Sequence, residues 1–289
     1  MKKINLNPKL QKELKNKVVL VTGGAGSIGS AVVEELLRYP VKSVRVLDNN
    51  ENGLFYLKRL YDETKLRLFL GNVEDYSRVE IAGNDVDIIF HLAAAKNIEI
   101  TEYNPIETIN TNITGIINLI RMAIKNKPLK FINVSTDKAA NPTTLYGSTK
   151  QISEYLTSWA TAEKTKFATI RFGNVQETRG NVFEIWNEQA KKNKPLTITN
   201  PKMERFFIKK NDAVNWILKC FLLADDGEIF VPKLKSFKIL DLAKTISKKH
   251  KIIGLRYGEK ISETLITEQE KRIAKETKDM WVIKQHTRD

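Results

Sequence analysis

Short, almost wholly apolar runs alternate with longer amphipathic stretches through the first part of the chain. The apolar runs fall at 17–22, 43–48, 66–70, 86–91, 130–135 and 166–171, and most are rich in β-branched residues, as in strands buried on both faces. Between them, 27–39, 52–64, 108–126 and 146–162 place apolar residues at helical spacing. Strand and helix in alternation predict a parallel sheet with right-handed crossovers and helices on both faces, an α/β fold of the doubly wound, Rossmann type. After residue 172 the rhythm breaks. Residues 173–201 read as irregular with one helix, 212–224 as helix, 228–231 as strand and 237–289 as mostly helical. Residues 1–16 are polar and rich in Lys and Asn, which predicts a short leader packed on the surface.

Composition narrows the class. With 42% hydrophobic and 28% charged residues, the 289-residue chain is neither disordered nor membrane-embedded in type. No apolar run reaches the ~18 residues of a spanning helix. The basic start, Met1-Lys2-Lys3, is not followed by the apolar segment of a signal peptide, so a cytoplasmic protein with no membrane insertion is expected. The single cysteine, Cys220, allows no internal disulfide and no cysteine cage for a metal; its place in an amphipathic stretch reads as buried packing. The net charge of +14 raises nucleic acid as a partner, but the lysines are scattered and not interleaved with aromatics. A Lys-rich solvated surface is expected instead, with a positive field that suits a diphosphate substrate.

The chemistry begins between the first run and the first helix. Gly23, Gly26, Ser27, Ile28 and Gly29 lie in the segment Thr22-Gly23-Gly24-Ala25-Gly26-Ser27-Ile28-Gly29. Glycines there permit a tight turn, and the free N–H groups of the helix start can meet a pyrophosphate. Asp48 ends the second strand, nineteen residues past Gly29, where a carboxylate can accept both ribose hydroxyls of NAD and would repel the 2′-phosphate of NADP. A cap on the next helix is its other reading. Asn49 follows in place of an arginine. Asn72 and Val73 follow the third strand, where an amide could meet adenine, and Ala93 and Ala94 follow the fourth, where small residues let a cofactor lie close.

Ser135-Thr136-Asp137-Lys138 ends the fifth strand and Tyr146-Gly147-Ser148-Thr149-Lys150 opens the next helix. Tyr146 and Lys150 share a helical face, and an ammonium beside a phenol favours the phenolate. A hydroxyl at Thr136 or Ser135 could orient a substrate alcohol. Such a set moves a proton while a nicotinamide takes a hydride. Asp137 and Lys138 add an acid–base pair that a plain dehydrogenase or epimerase does not need; as a surface turn pair they would have no such role.

The block 135–142 together with Leu145-Tyr146-Gly147-Ser148-Thr149-Lys150 closely resembles the polysaccharide-biosynthesis group of extended short-chain dehydrogenases/reductases, which includes inverting UDP-N-acetylglucosamine 4,6-dehydratases. The resemblance extends through Lys96, Asn104-Pro105, Thr111-Asn112, Arg171-Phe172-Gly173-Asn174-Val175, Arg179-Gly180, Arg205-Phe206-Phe207 and 254–260, nearly the whole chain. It implies a dinucleotide-binding domain over 1–172, with 206–232 returning to it, and a smaller substrate-binding cap from 173–205 and 233–289. It implies a UDP-HexNAc substrate, a tightly held and recycled NAD (NADP as the alternative) and a homo-oligomer. Tyr146 then takes the C4 hydroxyl proton, Lys138 serves as base at C5 if its pKa is lowered, and Asp137 as the acid that expels the C6 hydroxyl. Lys96 falls beside cofactor and substrate, and Asn174, Arg179, Arg205, Arg256 and Glu259 match positions lining the nucleotide-sugar site. The sequence departs from the family at 199–204, which lacks the expected Asp and Thr, at 181–184, where relatives carry Ser and Pro, and at Asn72, which replaces an Asp; the first two touch the sugar's identity. A nucleotide-sugar 4-epimerase on the same scaffold, or a non-enzymatic NAD-sensing protein, are the rival readings.

Overall fold

The computed structural model describes residues 6–61, 64–160 and 164–284. The basic start at Met1-Lys2-Lys3 and the expected helix end at 162 lie outside these residues. The strands are β1 Val18–Thr22, β2 Ser43–Asp48, β3 Leu66–Leu70, β4 Ile88–His91, β5 Lys130–Thr136, β6 Lys166–Phe172, β7 Asn174–Val175, β8 Leu196–Ile198, β9 Glu204–Ile208, β10 Glu228–Pro232, β11 Ser236–Lys238, β12 His250–Ile252, β13 Lys275–Glu276 and β14 Met280–Ile283. The helices of the first part are α1 Pro8–Leu14, α2 Ser27–Leu37, α3 Glu51–Leu60, α4 Tyr76–Gly83, α5 Ile98–Tyr103, α6 Pro105–Ile109, α7 Gly115–Asn126 and α8 Leu145–Trp159. Those that follow are α9 Val182–Lys191, α10 Lys210–Leu223, α11 Ile239–Lys244 and α12 Glu268–Ile273.

The main sheet runs β13-β14-β10-β6-β5-β4-β1-β2-β3. From β3 to β10 every pair is parallel; β14 is antiparallel to β10, and β13 to β14. This is the mixed α/β, doubly wound architecture that the apolar runs predict. Strand order reverses between β1 and β4, and a crevice opens at the carboxyl ends of the strands at such a switch point.

The period of two in β1 shows why both faces are filled. Val19 and Val21 join the core that includes Val32, Val33 and Leu36 of α2 and Ile217 and Phe221 of α10, while Val18 and Leu20 join the opposite core with Val79 of α4 and Leu119 of α7. The leader expected to pack on the surface is a helix over residues 8–14. The Asn7 side chain accepts from the backbone N–H of Lys9 and Leu10, and the helix it starts buries Leu10 and Leu14 in the first core. The expected helix over 108–126 is broken at Asn110–Thr114 by a widened turn between α6 and α7. There the Asn112 amide brackets Ala95, accepting its N–H and donating to its carbonyl.

The region after residue 172 differs from its mostly helical expectation. Among the described residues past 237 the helices are only α11 and α12, and β14 carries the chain back to the main sheet beyond β10. Two small sheets fill the rest: β7, β9 and β11, and β8 with β12. They gather around a compact apolar cluster in which Trp186 is fully buried and donates its indole N–H to the Thr197 carbonyl at 2.9 Å.

Candidate active site

The turn after β1 is set by contact, not by composition alone. A Cβ on Gly29 would lie 2.1 Å from the Gly23 carbonyl oxygen, so α2 can start this close to the strand only with glycine there. The N-cap of α2, Gly26, offers no side chain to the first N–H groups. An eleven-residue helix thus begins with exposed donors and the positive end of its dipole facing the crevice, an arrangement that fits a pyrophosphate. The Asp48 carboxylate holds the turn from the side: Oδ2 accepts the Ala25 N–H and Oδ1 the Asn50 N–H, each at 2.9 Å. The capping of α3 falls to Asn50, whose side chain accepts from Gly53. Asp48 therefore organises the loop and still faces the cleft.

That cleft, about 820 Å³, runs along the carboxyl ends of the strands. Gly23, Gly26, Ser27, Ile28, Gly29, Asp48, Asn49, Asn72, Val73, Ala93 and Ala94 line one part of it. Thr136, Lys138, Tyr146 and Lys150 line its centre, and Lys96, Asn174, Arg179, Arg205, Arg256 and Glu259 its far wall. Asp137 is fully buried just behind that surface. The candidate cofactor, catalytic and substrate residues thus line one cleft, with Asp137 just behind it.

At the centre, the end of β5 tightens into a single turn over Asp137–Ala139. The Lys138 ammonium lies 3.0 Å from Asp137 Oδ1, which also accepts the Thr136 hydroxyl at 3.0 Å. Thr136 also faces the Tyr146 phenol and pulls its pKa down, so one hydroxyl faces both groups. Asp137 Oδ2 is buried without a partner, an open acceptor beside the cleft. Gly147 lets α8 approach: a Cβ there would sit 2.6 Å from the Lys138 carbonyl oxygen.

The charge states differ from expectation. Burial pulls the Lys138 pKa down, but Asp137 and then Glu263 outweigh it, and the net direction is up. A neutral lysine is therefore not the resting form. Tyr146 is also raised, first by burial, against the opposing pull of Lys138. The cation acting on the phenol is Lys138; the expected partner Lys150 is instead pulled down to about 8, by burial, with Glu154 opposing.

Among the expected substrate residues the structure separates several roles. Arg205 donates to the carbonyls of Glu204, Lys260 and Ile261, so it organises the 260–261 segment. Arg179 reaches the other way, onto the glycine turn: its Nη2 donates to the Ala25 carbonyl and its N–H to Ser27 Oγ. Lys96 reaches the Arg179 carbonyl, and its pKa is lowered by burial and by the Arg179 charge. Arg256 is exposed and pairs with Glu99 at 2.8 Å, while Glu259 accepts the Arg256 N–H. Asn174 donates to the Phe206 carbonyl.

Residues 19–285 match the family described as Polysaccharide biosynthesis protein. The chain belongs to that family. It is an extended short-chain dehydrogenase/reductase, a family of nucleotide-sugar dehydratases and epimerases. It is 43% identical to a Methanocaldococcus jannaschii protein named only as an uncharacterized membrane protein, over 93% of this chain and 86% of that one. A Campylobacter jejuni protein named UDP-N-acetylglucosamine 4,6-dehydratase (inverting) is 38% identical over 92% and 82% of the two chains. A Rickettsia bellii protein named UDP-glucose 4-epimerase is 36% identical over 95% and 84%. The X-ray structure of Pen from Bacillus thuringiensis superposes with a TM-score of 0.90 at 35% identity, covering 93% of this chain and 88% of that one. Among the described residues no helix is long and apolar enough to cross a membrane, and no cluster of side chains could hold a metal ion.

Three buried groups of this site were not read from the sequence. Glu263 lies 3.7 Å from Lys138 and 2.9 Å from Lys260 with its side chain almost fully covered. His91, at the end of β4, meets Thr22 Oγ1 through Nδ1 at 2.7 Å, and burial and then the Lys150 charge hold its pKa down to about 3. Arg171 of β6 is clasped between Glu154 and Glu270. Two gave a sequence signal without a role: Arg171 opens the block 171–175 and Glu263 follows the block 254–260.

Proposed function

We propose that this chain is a UDP-N-acetylhexosamine 4,6-dehydratase that forms a 4-keto-6-deoxy sugar from UDP-N-acetylglucosamine. The observation that carries the reading is the Asp137–Lys138 ion pair, buried at the end of β5 beside Tyr146. Oxidation and re-reduction at C4 need only a hydroxyl, a phenol and a lysine; a buried acid–base pair next to them serves elimination. The Campylobacter jejuni relative's name supports the same reading.

The glycine turn, the start of α2, Asp48 and Lys150 would hold a nicotinamide dinucleotide, which would accept a hydride from C4 and return it to C6. Asp48 favours NAD over NADP, because a 2′-phosphate would meet a carboxylate already fixed by two backbone N–H groups. The hydride goes back to the same sugar, so nothing is consumed and a tightly held, recycled cofactor follows.

The protein's own groups must then move protons in balance. Because the Tyr146 pKa is raised, the phenol must lose its proton to solvent as the sugar and dinucleotide bind; the cycle then closes with one proton, on Lys138, shared among Tyr146, Asp137 and Lys138. Tyr146 takes the C4 hydroxyl proton. Lys138 passes its proton to Asp137, 3.0 Å away, and so creates the base and the acid together. Lys138 then takes the C5 proton, made acidic by the C4 ketone, and Asp137 gives its proton to the departing C6 hydroxyl, which leaves as water. Lys138 returns a proton to C5, and Tyr146 restores Lys138. Net, one water leaves, built from the C6 hydroxyl and one proton.

Incubation of the purified protein with UDP-N-acetylglucosamine, followed by mass spectrometry, tests this. The expected product is lighter by one water. The Rickettsia bellii relative's name favours a 4-epimerase instead, and an isomer of unchanged mass as the only product would replace the dehydratase reading with that one.

A further inference from the structure

Tyr146, Lys150 and Glu154 stand at successive turns along one face of α8, four residues apart. Lys150 and Glu154 are both buried. Glu154 is clasped by Arg171, whose Nε donates to Oε1 at 2.9 Å and Nη2 to Oε2 at 2.6 Å. The far edge of the same guanidinium donates to both oxygens of Glu270, at 3.0 and 2.7 Å. Glu270 sits in the first turn of α12, where it completes a capping box with Thr267. From the cleft outward the charges therefore alternate: Lys150, Glu154, Arg171, Glu270. They sum to zero only while Lys150 carries its proton. A neutral Lys150 would leave an uncompensated negative charge in the interior, which low dielectric makes costly.

We propose that Glu154, clasped by Arg171 and Glu270, is a positioning residue that holds Lys150 in its ammonium form at the cleft. Glu270 brings the C-terminal segment into the same array, so docking of α12 and the charge on Lys150 are linked. The other groups around Lys150 do not supply this. His91 faces it from β4 and is neutral, its pKa held near 3. Tyr146, on its own helix, is faced by Lys138 from the turn after β5. Burial draws Lys150 down to about 8, and Glu154 is the group that opposes it.

The inference rests on the reading that Lys150 serves the cofactor site, and its test is independent of sugar chemistry. The titration of Lys150 is followed by NMR of protein labelled with 13C at lysine Cε, with Lys150→Arg to assign the signal. In Glu154→Gln the midpoint should fall by about one pH unit or more, because a facing carboxylate is lost. In the double variant Arg171→Met, Glu270→Gln the outer pair is removed without changing net charge, Glu154 faces Lys150 alone, and the midpoint should rise. Opposite signs separate this from loss of packing, and if Glu154→Gln does not fold the double variant carries the test alone. A midpoint unmoved in the double variant, or moving the same way in both, overturns the proposal. Where dinucleotide-dependent turnover is observed, its high-pH limb should shift with the midpoint. Correct titrations with no loss of water would refute the dehydratase reading and leave the Glu154 role standing.

Discussion

The Thr136 hydroxyl lies 3.0 Å from Asp137 Oδ1 and faces the Tyr146 phenol, whose pKa it lowers. In the proposed dehydration this hydroxyl joins the group that acts at C4 to the pair that acts at C5 and C6. Thr136→Val should therefore slow dehydration more than it weakens binding: kcat falls by about 10²-fold or more while KM changes little, and Thr136→Ser restores most of the rate. Steady-state kinetics on all three proteins checks this. Equal losses in the Val and Ser variants would show that the hydroxyl is not what matters.

Lys138→Ala should abolish release of water, by about 10²–10⁴-fold, while leaving dinucleotide binding intact. The binding half of that statement follows from geometry, since Lys138 is held by Asp137 and Glu263 and not by the glycine turn. Mass spectrometry of the sugar and fluorescence titration with NADH read the two halves separately.

Turnover should fall as pH rises through about 8. The sign follows from Lys150, whose pKa burial lowers to about 8: above it the ammonium that would hold the dinucleotide in the cleft is lost. The same shift acts oppositely on stability. Between about 8 and its ordinary value the unfolded chain binds the proton and the folded one does not, so this group's contribution to stability rises with pH there. A pH–rate profile beside a pH series of denaturant melts should show the two trends diverging.

His91 gives the acid counterpart. It stays neutral in the fold down to about pH 3, against an ordinary value of 6.5. As pH falls below 6.5 the unfolded state takes up a proton that the folded state refuses, and stability is lost. From pH 6.5 to 5 the loss is about 2 kcal/mol. His91→Asn should flatten that part of the stability–pH curve, as measured by urea midpoints.

Gly29→Ala should cost both fold and cofactor. The new methyl would fall 2.1 Å from the Gly23 carbonyl, backbone that cannot move without displacing the start of α2. Dinucleotide affinity should drop at least 10-fold, with a loss of thermal stability read in the same melt.

The strands of the main sheet up to β6 were legible because each is a short β-branched run filled on both faces, and their bounds agree closely with expectation. The site was legible where it lies at strand ends in fixed motifs, as with Gly23–Gly29 and Thr136–Lys150. What escaped depends on distance along the chain. Arg171 pairs with Glu154 and Glu270, seventeen and ninety-nine residues away, and nothing local marks such a pair. Lys275 and Glu276 are both exposed, so β13 carries no apolar period. The Lys138 pKa, which a resting base would need lowered, rises instead, because the neighbouring Asp137 and then Glu263, arriving from a segment more than a hundred residues on, outweigh burial. Residues 8–14 look like a polar leader because only Leu10 and Leu14 of that helix turn inward.

β14 covers the outer edge of β10, pairing Ile229, Phe230, Val231 and Pro232 with Ile283, Val282, Trp281 and Met280. Residues 280–283 thus act as a selvedge, closing a weave whose other long strands lie before residue 233. A truncation just ahead of Met280 would bare a hydrogen-bonding margin flanked by Ile229 and Val231, and such margins recruit other chains. Shortened forms of this protein should clump before they lose their helices, and affinity tags are better tolerated as extensions than as replacements at this end.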